Sequence, residues 1–125
     1  MSVKKSRVAV PTKGRGGLDD VVSQVFGRAN TFTLIDIEKR TIRNSKVLKN
    51  PAVSYQHGAG PIVVKMLLDE GVNIVVATEF GPGVSTLLDQ HKVRKLKATA
   101  GTSVALSLKE LLTVVEDRQV PKACT

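Results

Sequence analysis

The chain has 125 residues, 42% of them hydrophobic and 24% charged, and its 19 Lys and Arg against 11 Asp and Glu give a formal charge of +8. That size supports one core rather than two, so a single domain over residues 1–125 is expected, with its core at 6–115 and a loose tail at 116–125; the composition excludes a disordered or collagen-like chain. The apolar runs, such as Val72 to Ala77, are far shorter than the roughly 20 residues of a membrane helix, and no cleavage pattern follows the basic stretch Met1 to Arg7, so a cytoplasmic location without a membrane partner is expected.

The first predicted strand is Ser6 to Pro11, a β-branched run stopped by proline, and Thr12 to Gly17 follows as a glycine-rich loop of the kind that holds phosphate. Leu18 to Val25 reads as a helical turn capped by Asp19. Thr31 to Ile37 and Thr41 to Leu48 are strands joined by the turn Glu38-Lys39-Arg40, and the polar alternation of the second implies a solvated face. After the loop Lys49 to Gly60, Pro61 to Glu70 has proline at the first helical position and Gly71 as its stop. Val72 to Thr78 is nearly all apolar, as a strand buried on both faces is, and Gly81-Pro82-Gly83 closes it. Val84 to Gln90 reads as a short helix, Lys92 to Ala98 as a strand, and Ser103 to Val115 as a last amphipathic helix.

A meander followed by strand, helix, strand and helix, joined by right-handed crossovers, gives an α/β fold with about five strands in the order 3-2-1-4-5 and helices on both faces. This topology collects Gly14, Gly16, Gly17, Gly27, Gly58, Gly60, Gly81, Gly83 and Gly101 at one sheet edge, where open α/β sheets bind ligands and backbone amides attract anions.

His57-Gly58-Ala59-Gly60-Pro61 is the sharpest local feature, an imidazole on the loop that opens a helix. It could ligate a metal or an anion, or simply complete a turn. Arg15 and Arg28 each adjoin a glycine and could present guanidinium groups at the same edge, or be solvated loop charges. His91, at a helix end, suits the helix dipole. The basic run Lys92, Arg94, Lys95 and Lys97 suits an edge strand that must discourage pairing. The Gly14-x-Gly16-Gly17 spacing matches neither common nucleotide-binding loop. The positive charge favours anionic partners. Yet aromatic residues are only 3%, with no tryptophan, which disfavours nucleic acid because base-stacking platforms are hard to build.

Catalysis is the weaker reading. Asp19, Asp20 and Glu79 are the carboxylates expected near the site, and Val8-Ala9-Val10 lacks the strand acids of a two-metal nuclease. Cys124 has no evident histidine partner, and a lone cysteine also excludes an intrachain disulfide or a Cys-x-x-Cys metal site.

Val8-Ala9-Val10-Pro11, Leu18-Asp19, Phe26-Gly27-Arg28-Ala29, Asn50-Pro51, His57-Gly58-Ala59-Gly60, Gly81-Pro82-Gly83 and Gly101-Thr102, taken in this order, resemble the dinitrogenase iron-molybdenum cofactor-binding family over roughly Val8 to Leu112. The resemblance implies a ribonuclease H-like α/β/α fold without the nuclease acids. It also implies a nitrogen fixation-related, non-enzymatic carrier for an iron-molybdenum or iron-sulfur type cluster, or a related anion, held non-covalently. On that resemblance His57 is a candidate metal ligand or hydrogen-bond donor and Arg28 a charge partner. Arg15 is a further candidate at that edge, and the resemblance implies that the amides of Gly16, Gly27, Gly58, Gly60, Gly81 and Gly83 would cradle cluster sulfides. The implied partners are cluster-assembly or acceptor proteins. The family often has histidine just before its Phe-Gly-Arg segment, where this chain has Val25. The competing expectation is a basic nucleic-acid or protein-interaction module without a cofactor.

Overall fold

The computed structural model describes residues 5–55 and 58–110. The described strands are β1 (Lys5–Thr12), β2 (Thr31–Glu38), β3 (Thr41–Lys49), β4 (Ile74–Ala77) and β5 (Arg94–Lys97), with helices α1 (Ala59–Asp69) and α2 (Pro82–Gln90). They form one five-stranded sheet in the order β3-β2-β1-β4-β5. β1, β2 and β3 pair antiparallel, and β1, β4 and β5 pair parallel. This is the mixed sheet and strand order expected from the sequence.

Strand alternation divides the core between two faces. Ala9, Phe32, Leu34, Val75 and Ala77 face α1 and α2, which contribute Val63, Val64, Leu67, Val84 and Leu88. Val8, Val10, Ile35, Ile37, Ile74 and Val76 face the other way, toward Val104 and Leu108 of a helical segment at 104–110. Each large aliphatic side chain sealed in these layers is worth about 1.5–3 kcal/mol. The three-layer arrangement therefore follows from apolar residues on both faces of β1, β2 and β4. β3 is exposed along almost its whole length, as its polar alternation predicts.

Turn chemistry fixes the register. Lys39 and Arg40 both take positive φ, 55° and 68°, which makes the β2–β3 connection a two-residue turn of the type that suits twisted hairpins. α1 ends where Gly71 adopts φ 81°. The Gly71 amide then reaches the Leu68 carbonyl and the Val72 amide the Leu67 carbonyl, the pairing of a helix stop built on a left-handed residue.

Two local expectations change. α1 starts at Ala59, so Pro61 is its third residue rather than its first. Proline is tolerated there because the amides of the first turn have no partner within the helix. Leu18 to Val25 forms no helical turn capped by Asp19. Leu18 and Asp19 lie in a turn, and Val21 and Val22 bridge to Ser103 and Thr12. Tertiary pairing wins because both valines gain backbone partners that an isolated helical turn would leave unmade. The last helix begins as expected, with the Ser103 hydroxyl accepting from the Leu106 amide at 3.1 Å. Residues 111–115 of that expected helix, the tail at 116–125 and Cys124 lie outside the described residues.

Candidate functional site

The register brings the end of β1, the start of β2 and the end of β3 to one edge, since Thr12 pairs with Thr31 and Thr31 with Lys49. β4 and β5 run parallel to β1 and end at the same edge. The connections that leave it hold all the glycines singled out above. Among the described residues, Gly71 alone lies elsewhere, at the end of α1.

The loop after β1 closes on itself. Asp20, not Asp19, organises it: its carboxylate accepts from the amides of Gly14 (2.8 Å), Gly16 (2.8 Å) and Val21 (2.7 Å). Burial pushes the Asp20 carboxyl up, the three amides pull it down further, and it lies below the ordinary carboxylate value. Gly17 donates to the Thr33 hydroxyl at 2.8 Å, and Gly16, at φ 88°, packs so tightly that a Cβ there would sit 2.6 Å from Val47. The loop thus turns its amides inward. Arg15, at its tip, is exposed.

The Phe-Gly-Arg-Ala segment is set by different contacts. Phe26 is buried against Phe32, with ring centroids 5.3 Å apart in an edge-on arrangement. The Asn50 side chain donates to the carbonyls of Gly27 (2.9 Å) and Ala29 (2.8 Å) and accepts from the Ala52 amide at 2.8 Å. Gly27 meets the start of α1, where a Cβ would come within 3.2 Å of the Gly60 amide nitrogen, and Gly60 in turn faces Val84 of α2. Gly27, Gly60 and the start of α2 are therefore brought together. Gly58, at φ 80°, opens α1. Gly81 and Gly83 flank the start of α2 and are exposed, with open space where a Cβ would stand. His57, the candidate metal ligand, lies outside the described residues.

Between these connections lies an open cleft of about 460 Å³, bounded by Lys13, the segment 21–25, Arg28-Ala29-Asn30 and the Ala100-Gly101 turn. Hydrogen bonds hold its walls together. The Val22 amide donates to Thr102 and its carbonyl accepts from Gly101, and the Asn30 side chain donates to the Lys13 carbonyl. Lys13 and Arg28 are its charged groups, no acidic side chain lines it among the described residues, and Val25 offers an exposed apolar surface.

Part of the charge is neutralised in ion pairs. The ion pairs Arg7–Asp36, Arg43–Glu38, Lys46–Glu70, Lys65–Asp69 and Lys95–Asp89 all lie away from this cleft. Among the described residues, Lys13, Arg15, Arg28 and Lys49 make no ion pair. A second cleft, of about 340 Å³ at the opposite edge, is lined by Arg7, Asp36, Glu38 and Arg43, and its charges are already spent on one another. At the carboxyl edge Lys13 and Arg28 thus stand beside an apolar wall, an arrangement able to attract an anion.

Lys13, Val21 to Gln24, Asn30 and Ala100 were not foreseen as a cleft lining, whereas Gly101 stood among the glycines expected at this edge. They meet through the Val22–Gly101 pairing, which joins segments about 80 residues apart and leaves no local sequence signal. Lys13, next to the glycines, was the one residue that composition could have flagged. Of the candidate site residues, Arg28 lines this cleft, whereas Gly27, Gly58 and Gly60 do not. Arg15, Gly16, Gly81 and Gly83 share the edge but do not line this cleft.

Among solved structures the fold is similar to that of the orange protein of Desulfovibrio gigas in its apo form, with 25% identity, a TM-score of 0.78, and 88% of this chain and 89% of that chain covered. It is also similar to a Thermotoga protein that carries a NifB designation, with 29% identity, a TM-score of 0.69, and 87% and 88% covered. An uncharacterized protein of Methanocaldococcus jannaschii is 27% identical over 112 residues, covering 90% of each chain. The sequence profile described as dinitrogenase iron-molybdenum cofactor matches residues 4–114, nearly the whole length, and the chain belongs to that family.

Proposed function

We propose that this protein is a non-enzymatic carrier that holds a preformed iron-molybdenum or iron-sulfur type cluster, or a related anion, in the cleft at the carboxyl edge of its sheet. The observation that carries the reading is the cleft itself, where Lys13 and Arg28 stand without ion-pair partners among the described residues beside the apolar Val25. Family membership adds that such a cofactor is the fitting cargo. Among the described residues, no three His, Cys, Asp or Glu side chains converge where a metal ion could sit. Lys13 and Arg28 suit an anion held by charge and hydrogen bonds. His57 is the candidate that would add a direct ligand or a hydrogen bond. The partners, on this reading, are the proteins that assemble the cluster or accept it.

The test is an anaerobic titration of the apo-protein with isolated iron-molybdenum-sulfur cofactor and, separately, with molybdate, followed through the absorption bands of the cluster. Stoichiometric binding should weaken about tenfold or more in Arg28→Ala and Lys13→Ala, as expected for loss of a charge-assisted contact, and should be lost in His57→Ala if that imidazole is a ligand. Absence of binding to either probe would favour an interaction module, and binding of nucleic acid with steep salt dependence would identify its partner class.

A further inference from the structure

We propose that Asp20 is the internal anion of the loop after β1, its carboxylate filling a nest of backbone amides from Gly14, Gly16 and Val21 and thereby positioning Lys13 at the cleft. The sequence reads this loop as a phosphate holder, and its backbone has the required form. Gly16 and Gly17 take positive φ values of 88° and 103°, and the loop they turn aims the Gly14 and Gly16 amides at one point while the Gly17 amide leaves toward Thr33. The occupant of that point is the protein's own side chain. The Gly14 and Gly16 amides converge on one oxygen, Oδ2, at 2.8 Å each, while Val21 takes the other at 2.7 Å. Both carboxylate oxygens lie 3.3 Å from where a Cβ on Gly14 would stand, so the group is seated directly against the loop backbone.

The remaining contacts keep the nest in place. The Gly17 amide is taken by Thr33, and the Gly14 carbonyl accepts from the Thr31 hydroxyl, which also bonds Thr12. Lys13 is fixed by its amide on the Val21 carbonyl and by its own carbonyl on Asn30. Asp20 closes the intervening turn at both ends. An external anion is thereby excluded from these amides and left to Lys13 and Arg28. The positioning role rests on the carrier reading above, whereas the nest does not.

The experiment uses Asp20→Gly, which empties the nest, with acetate as the probe and chloride at matched ionic strength as the control. Expected are saturable acetate shifts of the Gly14 and Gly16 amide resonances in the variant, no acetate response in the native protein, and partial recovery by acetate of affinity for the iron-molybdenum-sulfur cofactor. A folded Asp20→Gly protein without an acetate response, or a native protein that responds equally, overturns the proposal. If Asp20→Gly does not fold, Asp20→Asn keeps the shape and removes the charge. Hydrogen-exchange protection at Gly14 and Gly16 should then fall about tenfold, and unchanged protection overturns the proposal. These amide readouts do not need a cluster, so failure of the carrier reading and failure of the nest are separate results.

Discussion

Gly60 of α1 lies against Val84 of α2 so closely that a Cβ on Gly60 would fall 2.7 Å from the valine Cγ2. Gly27 packs on the other side of the same glycine. The contact joins the Phe-Gly-Arg segment to both helices on that face of the sheet, and it explains a glycine in the first turn of α1.

Gly60→Ala should therefore destabilise the protein despite its better helix propensity, because overpacking costs about 1–3 kcal/mol and a β-branched valine has little freedom to turn away. A double-mutant cycle with Val84→Ala isolates the clash. The two substitutions together should cost about 1 kcal/mol less than their sum in denaturant unfolding, and strict additivity would show that the close approach carries no strain.

Asn50 is buried, and its amide group bonds the carbonyls of Gly27 and Ala29. Asn50→Ala should cost about 2–3 kcal/mol through buried groups left without partners. It should also raise amide exchange in residues 26–30 more than in β1. Equal change in both would mean that the side chain supports global stability only.

Asp36 receives Arg7 through two contacts, Nε to Oδ1 at 2.6 Å and Nη2 to Oδ2 at 3.0 Å. The Arg7 hydrogen bond lowers the Asp36 carboxyl below its ordinary value, burial opposes the shift, and the arginine charge adds to it. A carboxyl depressed in the folded state contributes stability that is fully present above its unfolded value, about 3.9, and that is lost as pH falls through the lower folded value. Asp36→Asn should therefore be less stable than the native protein at pH 7, by about 1 kcal/mol for a pair that solvent partly screens. The difference should shrink below about pH 4; a constant difference down to pH 2 would contradict the assignment.

The strand order and the two-faced core were legible because Val8-Ala9-Val10 and Ile74 to Ala77 are uniformly apolar, as central strands are, and the exposed alternation of Thr41 to Leu48 marks an edge. The edge that gathers the glycines followed from topology alone. The interior of the site did not. Whether Asp19 or Asp20 serves the loop depends on where the Gly16 and Gly17 amides point, and that is set by Thr33 and Val47 on other strands. The cleft was hidden for the same reason, because Val22 meets Gly101 only once the parallel strands are in place.

In the proposed carrier an anionic cluster sits between Lys13 and Arg28, and backbone amide resonances followed during anaerobic addition of isolated iron-molybdenum-sulfur cofactor report on that placement. Saturable changes are expected at Lys13, residues 21–30 and Ala100-Gly101 alone, with Asp36 and Asn73 at the opposite edge unmoved. Changes spread over the lysines of β3 and β5, or centred on the Arg7–Asp36 edge, would contradict that placement.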